Sequence, residues 1–265
     1  MNAAGTGKLA VVTGASSGIG FEFAKVLIEN DFEVLMVAED DVDAAAASLG
    51  VTGAKVMPLR ADLSTHDGNE RLVAAVAADG RAADVLALNA GVGVAGPFLE
   101  TPIDADLALL ELNINSPVYL AKRLLPAMVA SGEGRVLITS SIAGTMPGPY
   151  YATYAASKAF LLSFAEAIRY ELKDTGVTVT ALMPGPTDTN FFDRAGMEDT
   201  LVYEGKKDDP ADVARDAFKA LMAGDDKVVA GSAKNAVQVA MGKVMPETAK
   251  ATLHARQVKP EDEHG

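Results

Sequence analysis

The chain is 265 residues long, which suits one α/β domain and leaves too little for a second substantial one. It has no cysteine and only three histidines, so we expect no disulfide, no thiolate nucleophile and no metal site. Lysine and arginine number 23 against 36 acidic residues, a net charge of -13. This charge opposes nucleic acid and anionic membrane as partners and favours small molecules.

The N-terminus, residues 1–7, lacks the basic region and the long apolar run of an export signal. Nor does the sequence contain an uninterrupted apolar stretch of about 18 residues that could span a bilayer. We therefore expect a soluble, cytoplasmic protein without an integral membrane segment.

Short apolar runs alternate with longer segments of helical pattern. The predicted strands are Leu9–Val12, Glu33–Ala38, Lys55–Leu59, Val85–Leu88, Arg135–Thr139, Val177–Leu182 and Lys227–Ala230. The predicted helices are Gly20–Glu29, Asn69–Ala78, Ala105–Met128, Tyr154–Lys173 and Ala211–Met222. Such alternation is typical of βαβ units. We predict a single domain over residues 1–265 with a doubly wound, Rossmann-like α/β fold: a parallel sheet of about seven strands with helices on both faces.

Two segments depart from this alternation. A long connection from Pro184 to Asp209 contains large apolar side chains, and we predict a substrate lid at residues 186–209. We predict a basic amphipathic helix and tail at residues 232–265, with an apolar stripe of Val237, Met241, Val244 and Met245 and basic residues Lys234, Lys243, Lys250, Arg256 and Lys259. Such a helix can contact a membrane or a partner; docking on the same chain or on another subunit is the favoured interpretation.

Tyr154 and Lys158 lie four residues apart in a predicted helix, so their side chains share one face. A free tyrosine has a pKa of about 10, and a neighbouring ammonium group favours the phenolate and lowers that pKa. The pair therefore predicts a phenol that acts as acid or base near neutral pH.

A glycine-rich turn follows the first predicted strand and opens a helix. Gly14, Gly18 and Gly20 give the spacing G-x-x-x-G-x-G, in which a tight turn lets the backbone approach a pyrophosphate at a helix N-terminus. An ordinary strand-to-helix turn is the alternative. Together with Tyr154 and Lys158, the turn indicates hydride chemistry on a dinucleotide.

A set of ordered motifs resembles the short-chain dehydrogenase/reductase family over residues 8 to about 190. The motifs are Thr13-Gly-Ala-Ser-Ser-Gly-Ile-Gly20, Asn89-Ala-Gly91, Asn113, Ser141, Tyr154-x-x-x-Lys158, and Pro184-Gly185 with Thr189. The resemblance implies an NAD(P)-dependent oxidoreductase that interconverts a secondary alcohol and a ketone.

The same resemblance implies four catalytic residues. Tyr154 would be the acid or base, and Lys158 would bind the nicotinamide ribose and lower the phenol pKa. Ser141 would donate to the substrate oxygen, and Asn113 would position a water that links Lys158 to solvent. The competing candidates are Tyr150 and Tyr151, Ser140, and Asn115; the intervals of 13 residues from Ser141 to Tyr154 and of 24 from Asn89 to Asn113 decide against the last two.

Cofactor contacts are implied in the same way. They are Gly14, Ser16, Ser17, Gly18, Ile19, Gly20, Glu39, Asp62, Leu63, Asn89, Ala90, Gly91, Tyr154, Lys158, Pro184, Gly185, Thr187 and Thr189. Asp62 has the alternative of a cap or turn residue. Leu88 replaces the first Asn of the family's commoner Asn-Asn-Ala-Gly.

The end of the second strand predicts a preference for NAD(H) over NADP(H). The family's acidic position aligns with Ala38, and its two basic positions with Glu39 and Ser17. Neither basic determinant is present, and Glu39 or Asp40 would repel a 2′-phosphate and could accept from a hydroxyl. Alternatively, both carboxylates are solvated caps of the following helix.

Two other functions share these motifs in part: a nucleotide-sugar epimerase and a non-catalytic protein that senses dinucleotide redox state. The resemblance also implies a small carbonyl or alcohol substrate and a homodimer or homotetramer joined through the helices Ala105–Met128 and Tyr154–Lys173. We expect an apolar substrate pocket formed from Phe98, Met146, Tyr150, Tyr151, Phe191, Phe192 and Met197.

Overall fold

One parallel sheet organises the computed structural model, which describes residues 7–49, 56–197, 200–242 and 245–259. Its strands are β1 (Lys8–Thr13), β2 (Phe32–Ala38), β3 (Val56–Arg60), β4 (Val85–Leu88), β5 (Gly134–Thr139), β6 (Val177–Pro184) and β7 (Lys227–Ala230). They lie in the order β3-β2-β1-β4-β5-β6-β7, and every neighbouring pair is parallel. The predicted doubly wound fold is confirmed; Lys55, the predicted start of β3, lies outside the described residues.

Helices connect the strands. They are α1 (Gly18–Glu29), α2 (Val42–Ser48), α3 (His66–Asp79), α4 (Ile103–Leu110), α5 (Ser116–Ser131), α6 (Ala152–Glu171), α7 (Phe191–Arg194), α8 (Leu201–Glu204), α9 (Pro210–Ala223), α10 (Ala233–Gly242) and α11 (Glu247–Val258). A π-helical turn, Glu111–Asn115, separates α4 from α5, and a 3₁₀ turn, Ile142–Thr145, follows β5.

The two faces of the sheet bury separate apolar clusters. On one face, Phe23 and Leu27 of α1 share a cluster with Val213 and Leu221 of α9. The cluster on the other face includes Leu72, Leu120, Met128 and Leu161, which come from α3, α5 and α6. Burial on both faces accounts for the nearly continuous apolar runs of the strands.

The strand order reverses direction at β1. After β3 the chain crosses β1 and continues with β4 on the far side, so a crevice opens at the carboxyl ends of β1 and β4. Ligands of doubly wound sheets bind at this switch point. The glycine turn that follows β1 lies there.

Two predicted helices are divided in the structure. The predicted Ala105–Met128 helix is interrupted by the π-helical turn. The predicted basic helix forms α10 and α11, because Pro246 in an extended conformation precedes α11. Val237 and Met241 of the expected apolar stripe are exposed, whereas α11 packs against α8. Lys243, Val244 and the tail at 260–265 lie outside the described residues. Within the part of the chain that the structure describes, no helix is long and apolar enough to cross a membrane.

Candidate active site

The glycine turn forms a tight cradle between β1 and α1. Gly14 and Gly18 have positive φ angles of 65° and 56°, which L side chains rarely adopt. A Cβ at Gly20 would lie 2.1 Å from the Gly14 carbonyl oxygen. Ser17 precedes α1 without making a side-chain cap hydrogen bond. The N-terminus of α1 is therefore a backbone anion site of the kind that binds a pyrophosphate.

The ends of β1, β4 and β5 are joined through Asn89 and Thr13. The Thr13 hydroxyl accepts from the backbone N–H groups of Asn89 and Ala90, at 2.8 and 3.0 Å, and donates to the Ala87 carbonyl. The Asn89 amide donates to the Thr13 carbonyl at 3.1 Å and accepts from Thr139 at 3.0 Å. These bonds fix the floor of the crevice, and the hydroxyl of Thr13 is a part of it that the sequence analysis did not assign.

Two adjacent serines follow β5, and the structure separates their roles. Ser140 donates to the Lys158 carbonyl at 2.6 Å, which ties β5 to α6. The hydroxyl of Ser141 accepts from the Ala143 N–H at 3.1 Å and donates to the Pro184 carbonyl at 3.4 Å. It also lies close enough to the Tyr154 phenol to act on the pKa of that group. Both serines bond the backbone, but Ser141 is the one that lies beside the phenol, whereas Ser140 lies against the backbone of α6.

Tyr154 and Lys158 project from α6 into the same crevice, where Lys158 is buried and Tyr154 is partly buried. Burial raises the pKa of Tyr154 to about 12, although the Ser141 hydrogen bond acts in the opposite direction. Burial also lowers the pKa of Lys158 to about 8. The ammonium donates to the Thr139 carbonyl at 2.9 Å and lies 5.7 Å from the Tyr154 ring centroid. The expected depression of the phenol pKa by Lys158 is absent in this structure: burial raises that pKa, and the opposing effect comes from Ser141.

Asn113 lies in the π-helical turn, behind the crevice, and is fully buried. Its amide accepts from the Val92 N–H at 3.0 Å and donates to the Val92 carbonyl at 2.9 Å and to Ser157 at 3.1 Å. A Cβ at Gly91 would lie 3.1 Å from Asn113 Oδ1 and 3.2 Å from Lys158 Nζ. The turn therefore brings the amide close to the lysine, as π-helical turns often do at functional sites.

The carboxyl end of β2 combines acidic and basic groups. Glu39 is exposed, and its carbonyl accepts from Arg60 at 2.8 Å. Burial raises the pKa of the Asp40 carboxyl, but hydrogen bonds from Ser16 and Arg194 and the Arg194 charge outweigh this and lower it. Arg194 lies 2.8 Å from Asp40. Neither carboxylate caps α2, because Asp41 is the residue that does so.

Asp62 forms a turn beyond β3 and also faces the crevice. Its carboxylate accepts from the backbone N–H and the hydroxyl of Ser64, at 2.9 and 2.6 Å, while Thr65 caps α3. Leu63 beside it is buried. The turn-residue alternative describes this local geometry, and the carboxylate remains exposed at the wall of the crevice.

The loop after β6 borders the crevice at the end where the sequence predicts the nicotinamide. Thr187 donates to the Gly185 carbonyl at 2.9 Å, and a Cβ at Gly18 would lie 2.9 Å from the Thr189 methyl carbon. An isolated bridge pairs Thr187 with Asp208, so the two ends of the predicted lid are held together. The lid contains α7 and α8, and its Arg194 reaches the end of β2.

All the predicted site residues except Asn113 line this one crevice. Of the expected apolar pocket, Tyr151, Phe191, Phe192 and Met197 line it as well. Phe98 is 67% exposed and Met146 lines a separate depression, so these two were wrong. Tyr150 lies behind Tyr151, outside the lining. Among the lining residues that the sequence did not predict are Arg194, Val202, Gln238, His254 and Val258.

Comparisons with known proteins agree with this geometry. The family model described as short chain dehydrogenase matches residues 8–199. The chain belongs to this family. It is therefore a dinucleotide-dependent oxidoreductase, a dehydrogenase/reductase.

Among its relatives is "Short chain dehydrogenase MYCFIDRAFT_6125" from Pseudocercospora fijiensis, 34% identical over 189 residues; the match covers 70% of this chain and 61% of that protein. A short-chain dehydrogenase from Sphingobium yanoikuyae, solved in complex with NADPH, has a TM-score of 0.78 at 28% identity over 84% of this chain and 87% of that one. A short-chain dehydrogenase/reductase from Burkholderia phymatum in complex with NAD shares the fold, with a TM-score of 0.80 at 22% identity over 90% and 92%. Both of these structures were solved with a nicotinamide dinucleotide.

Proposed function

We propose that this chain interconverts a secondary alcohol and a ketone, with Tyr154 exchanging the hydroxyl proton. The observation that carries the proposal is the convergence of Ser141, Tyr154 and Lys158 on one crevice that the glycine cradle also lines. When bound, the nicotinamide would supply or accept the hydride. The glycine cradle would suit its pyrophosphate: a Cβ at Gly14, Gly18 or Gly20 would lie within 2.9 Å of neighbouring protein atoms, so only glycines allow the tight turn that opens α1.

The role proposed for each residue follows from its contacts. Ser141 hydrogen-bonds the phenol and would donate to the substrate oxygen, where charge develops. In reduction, the Tyr154 O–H bond breaks and its proton passes to that oxygen; in oxidation the proton returns. Lys158, whose pKa is about 8, remains a cation at neutral pH and would stabilise the phenolate left behind. Asn113, close to Lys158, would hold the water that returns the proton to solvent.

Tyr154→Phe tests this mechanism because it removes the proton donor and keeps the ring. We expect unchanged affinity for the reduced cofactor and a kcat lower by at least about a hundredfold, the contribution of general acid–base catalysis. Tyr170→Phe is the matched control, since Tyr170 lies exposed on the same helix. Near-normal turnover by Tyr154→Phe would exclude this role. A wild-type protein that binds cofactor without reducing any ketone in a broad panel would favour a redox sensor instead.

For the cofactor we propose NAD(H) over NADP(H), because the exposed Glu39 carboxylate would repel a 2′-phosphate. Arg194 is paired with Asp40, and Arg60 is bonded to the Glu39 carbonyl. The test compares kcat/KM for the two cofactors at a fixed substrate concentration. A preference of tenfold or more for NADPH, about 1.4 kcal/mol, would overturn the proposal. Arg60→Gln and Arg194→Gln would then identify which arginine binds the phosphate.

The lid and the oligomeric state are also proposals. Residues 186–209 would close over the nicotinamide, and added hydrogen-exchange protection in a ternary complex tests this. We propose a homodimer or homotetramer joined through α4–α5 and α6, supported by the exposed apolar side chains Ile103, Leu107 and Phe160. Light scattering measures the mass directly. A monomer at all concentrations would refute this assembly.

A further inference from the structure

The C-terminal helix α11 contributes His254 and Val258 to the crevice, and neither has a part in the proposed reaction. Both lie beyond residue 199, where the match to the family model ends. His254 is only 5% exposed. A buried histidine needs hydrogen-bond partners for both of its ring nitrogens.

Those partners define the tautomer of His254. Nδ1 lies 3.0 Å from the Pro147 carbonyl oxygen, which can only accept, so Nδ1 carries the hydrogen. Nε2 is then an acceptor, and the Tyr151 hydroxyl, 2.5 Å away, donates to it. Burial lowers the pKa of His254, against a smaller opposing effect of the Pro147 bond, and this favours the neutral ring that the network requires.

Tyr151 connects this histidine to the catalytic centre. Its ring stacks on that of Tyr154, with centroids 5.9 Å apart and planes 29° apart. Tyr150, directly before it, has a φ of 65°, and its carbonyl accepts from the Gly96 N–H at 2.7 Å. A tyrosine in the left-handed region is strained and persists only where its surroundings hold it. The chain therefore maintains an unfavourable turn that presents Tyr151 between His254 and Tyr154.

The surroundings of Tyr151 and His254 are apolar. Tyr151 and Val258 share a buried cluster with Phe192 and Met197 of the lid segment, and all four line the crevice. The hydrogen bonds of His254 hold α11 against the loop that leads to Tyr154. The crevice is thus apolar beside Tyr151, and two polar contacts of His254, with Tyr151 and with Pro147, join α11 to this wall.

We propose that His254 is a positioning residue that acts through Tyr151: it fixes the C-terminal wall of the substrate pocket and selects ketones or alcohols with a bulky hydrocarbon substituent. The inference rests on the proposed alcohol–ketone function. Its closing experiment has one readout that depends on turnover and one that does not.

Four variants separate the contacts. Tyr151→Phe removes the donor to Nε2. His254→Asn retains an amide donor near Nδ1 for Pro147 and loses the acceptor for Tyr151, whereas His254→Gln places an amide oxygen near Nε2 and restores it. His66→Asn is the matched control, because His66 lies on α3 against Tyr119, away from the crevice.

The turnover readout compares cyclohexyl methyl ketone with acetone. We expect Tyr151→Phe and His254→Asn to raise KM for the bulky ketone at least about tenfold, with kcat changed less than about threefold, because apolar contacts bind substrate and transition state alike. Acetone KM should change less than about threefold, so that the bulky-to-small ratio carries the effect, and His254→Gln and His66→Asn should keep the wild-type ratio. The proposal is overturned if Tyr151→Phe and His254→Asn keep a ratio of kcat/KM for the bulky ketone to that for acetone within twofold of wild type. It is also overturned if His254→Gln is as impaired as His254→Asn.

The second readout is hydrogen exchange in α11 of the full-length protein. Tyr151→Phe and His254→Asn should accelerate exchange across residues 247–258, while His254→Gln and His66→Asn should not. Unchanged exchange in both Tyr151→Phe and His254→Asn would also overturn the positioning role. If the wild type reduces no ketone, the alcohol–ketone function and the substrate selection fail, and the exchange data alone decide whether His254 holds α11.

Discussion

Replacing Lys158 by methionine should change how the stability of the protein depends on pH. Burial lowers the pKa of Lys158 from 10.5 to about 8. Between these values the unfolded chain binds the proton and the folded protein does not, so the free energy of unfolding rises with pH. The penalty for burying the cation is complete below pH 8 and is relieved as the pH approaches 10.5.

The shift of 2.5 pKa units, from 10.5 to about 8, corresponds to about 3 kcal/mol at full extent. Integrated between pH 7 and 9.5, the contribution of Lys158 is about 2 kcal/mol. Lys158→Met removes this pH-dependent contribution. It also removes the hydrogen bond to the Thr139 carbonyl, but that loss lowers stability by the same amount at every pH. The stability difference, variant minus wild type, should therefore fall by about 2 kcal/mol between pH 7 and 9.5.

Urea unfolding followed by circular dichroism at fixed protein concentration measures this difference. Lys173→Met is the control, since that side chain is exposed. Tyr154, with a pKa of about 12, stays protonated in the folded state over this range in both proteins, so its contribution to the stability difference cancels. Parallel pH profiles for Lys158→Met and wild type would refute the argument that burial sets the ionisation of Lys158.

Three further substitutions test the crevice. Gly20→Ala places a Cβ 2.1 Å from the Gly14 carbonyl oxygen, so we expect cofactor affinity to fall and stability to drop by about 1 to 3 kcal/mol, measured by cofactor titration and thermal unfolding. Asn113→Leu leaves the Val92 N–H and carbonyl unpaired, and chemical denaturation should show a loss of at least about 2 kcal/mol. Arg194→Met breaks the half-exposed ion pair with Asp40; stability should change by less than about 1 kcal/mol while hydrogen exchange accelerates in residues 188–197. A lid that exchanges at the wild-type rate would show that this pair does not hold it.

Much of the fold follows from local pattern. A strand buried on both faces must be apolar at nearly every position, and therefore runs such as Val85–Leu88 are visible without any structure. The interval between Tyr154 and Lys158 is equally local, since one helical face determines it. Ser141 and Asn113 were found by their intervals from other motifs, and the structure places both beside that pair.

The π-helical turn at Glu111–Asn115 has no such signal. Its hydrogen bonds span one residue more than those of an α-helix, and the bonds of Asn113 to Val92 within it join residues that are 21 positions apart in the sequence. His254 was missed for a different reason. The predicted apolar stripe lies mainly on α10. The buried face of the next helix, which Pro246 precedes, is formed by Lys250, His254 and Val258, which recur every fourth residue. A helix start at Pro246 would have indicated that face.

The burial that moves the pKa values of Tyr154 and Lys158 acts on both in the direction of the neutral form. A phenol with a pKa near 12 holds its proton at neutral pH, as a donor to a carbonyl oxygen must, and an amine with a pKa near 8 is still mostly charged. A higher dielectric constant around Tyr154 and Lys158 would bring both pKa values back toward their ordinary values, and it would also weaken the attraction between cation and phenolate. The dry environment that opposes ionisation in the resting protein is thus the same one in which the Lys158 charge would act most strongly on a phenolate formed during turnover. Tight packing around α6, including the Ser140 bond to the Lys158 carbonyl, therefore serves the proposed chemistry at a cost in stability.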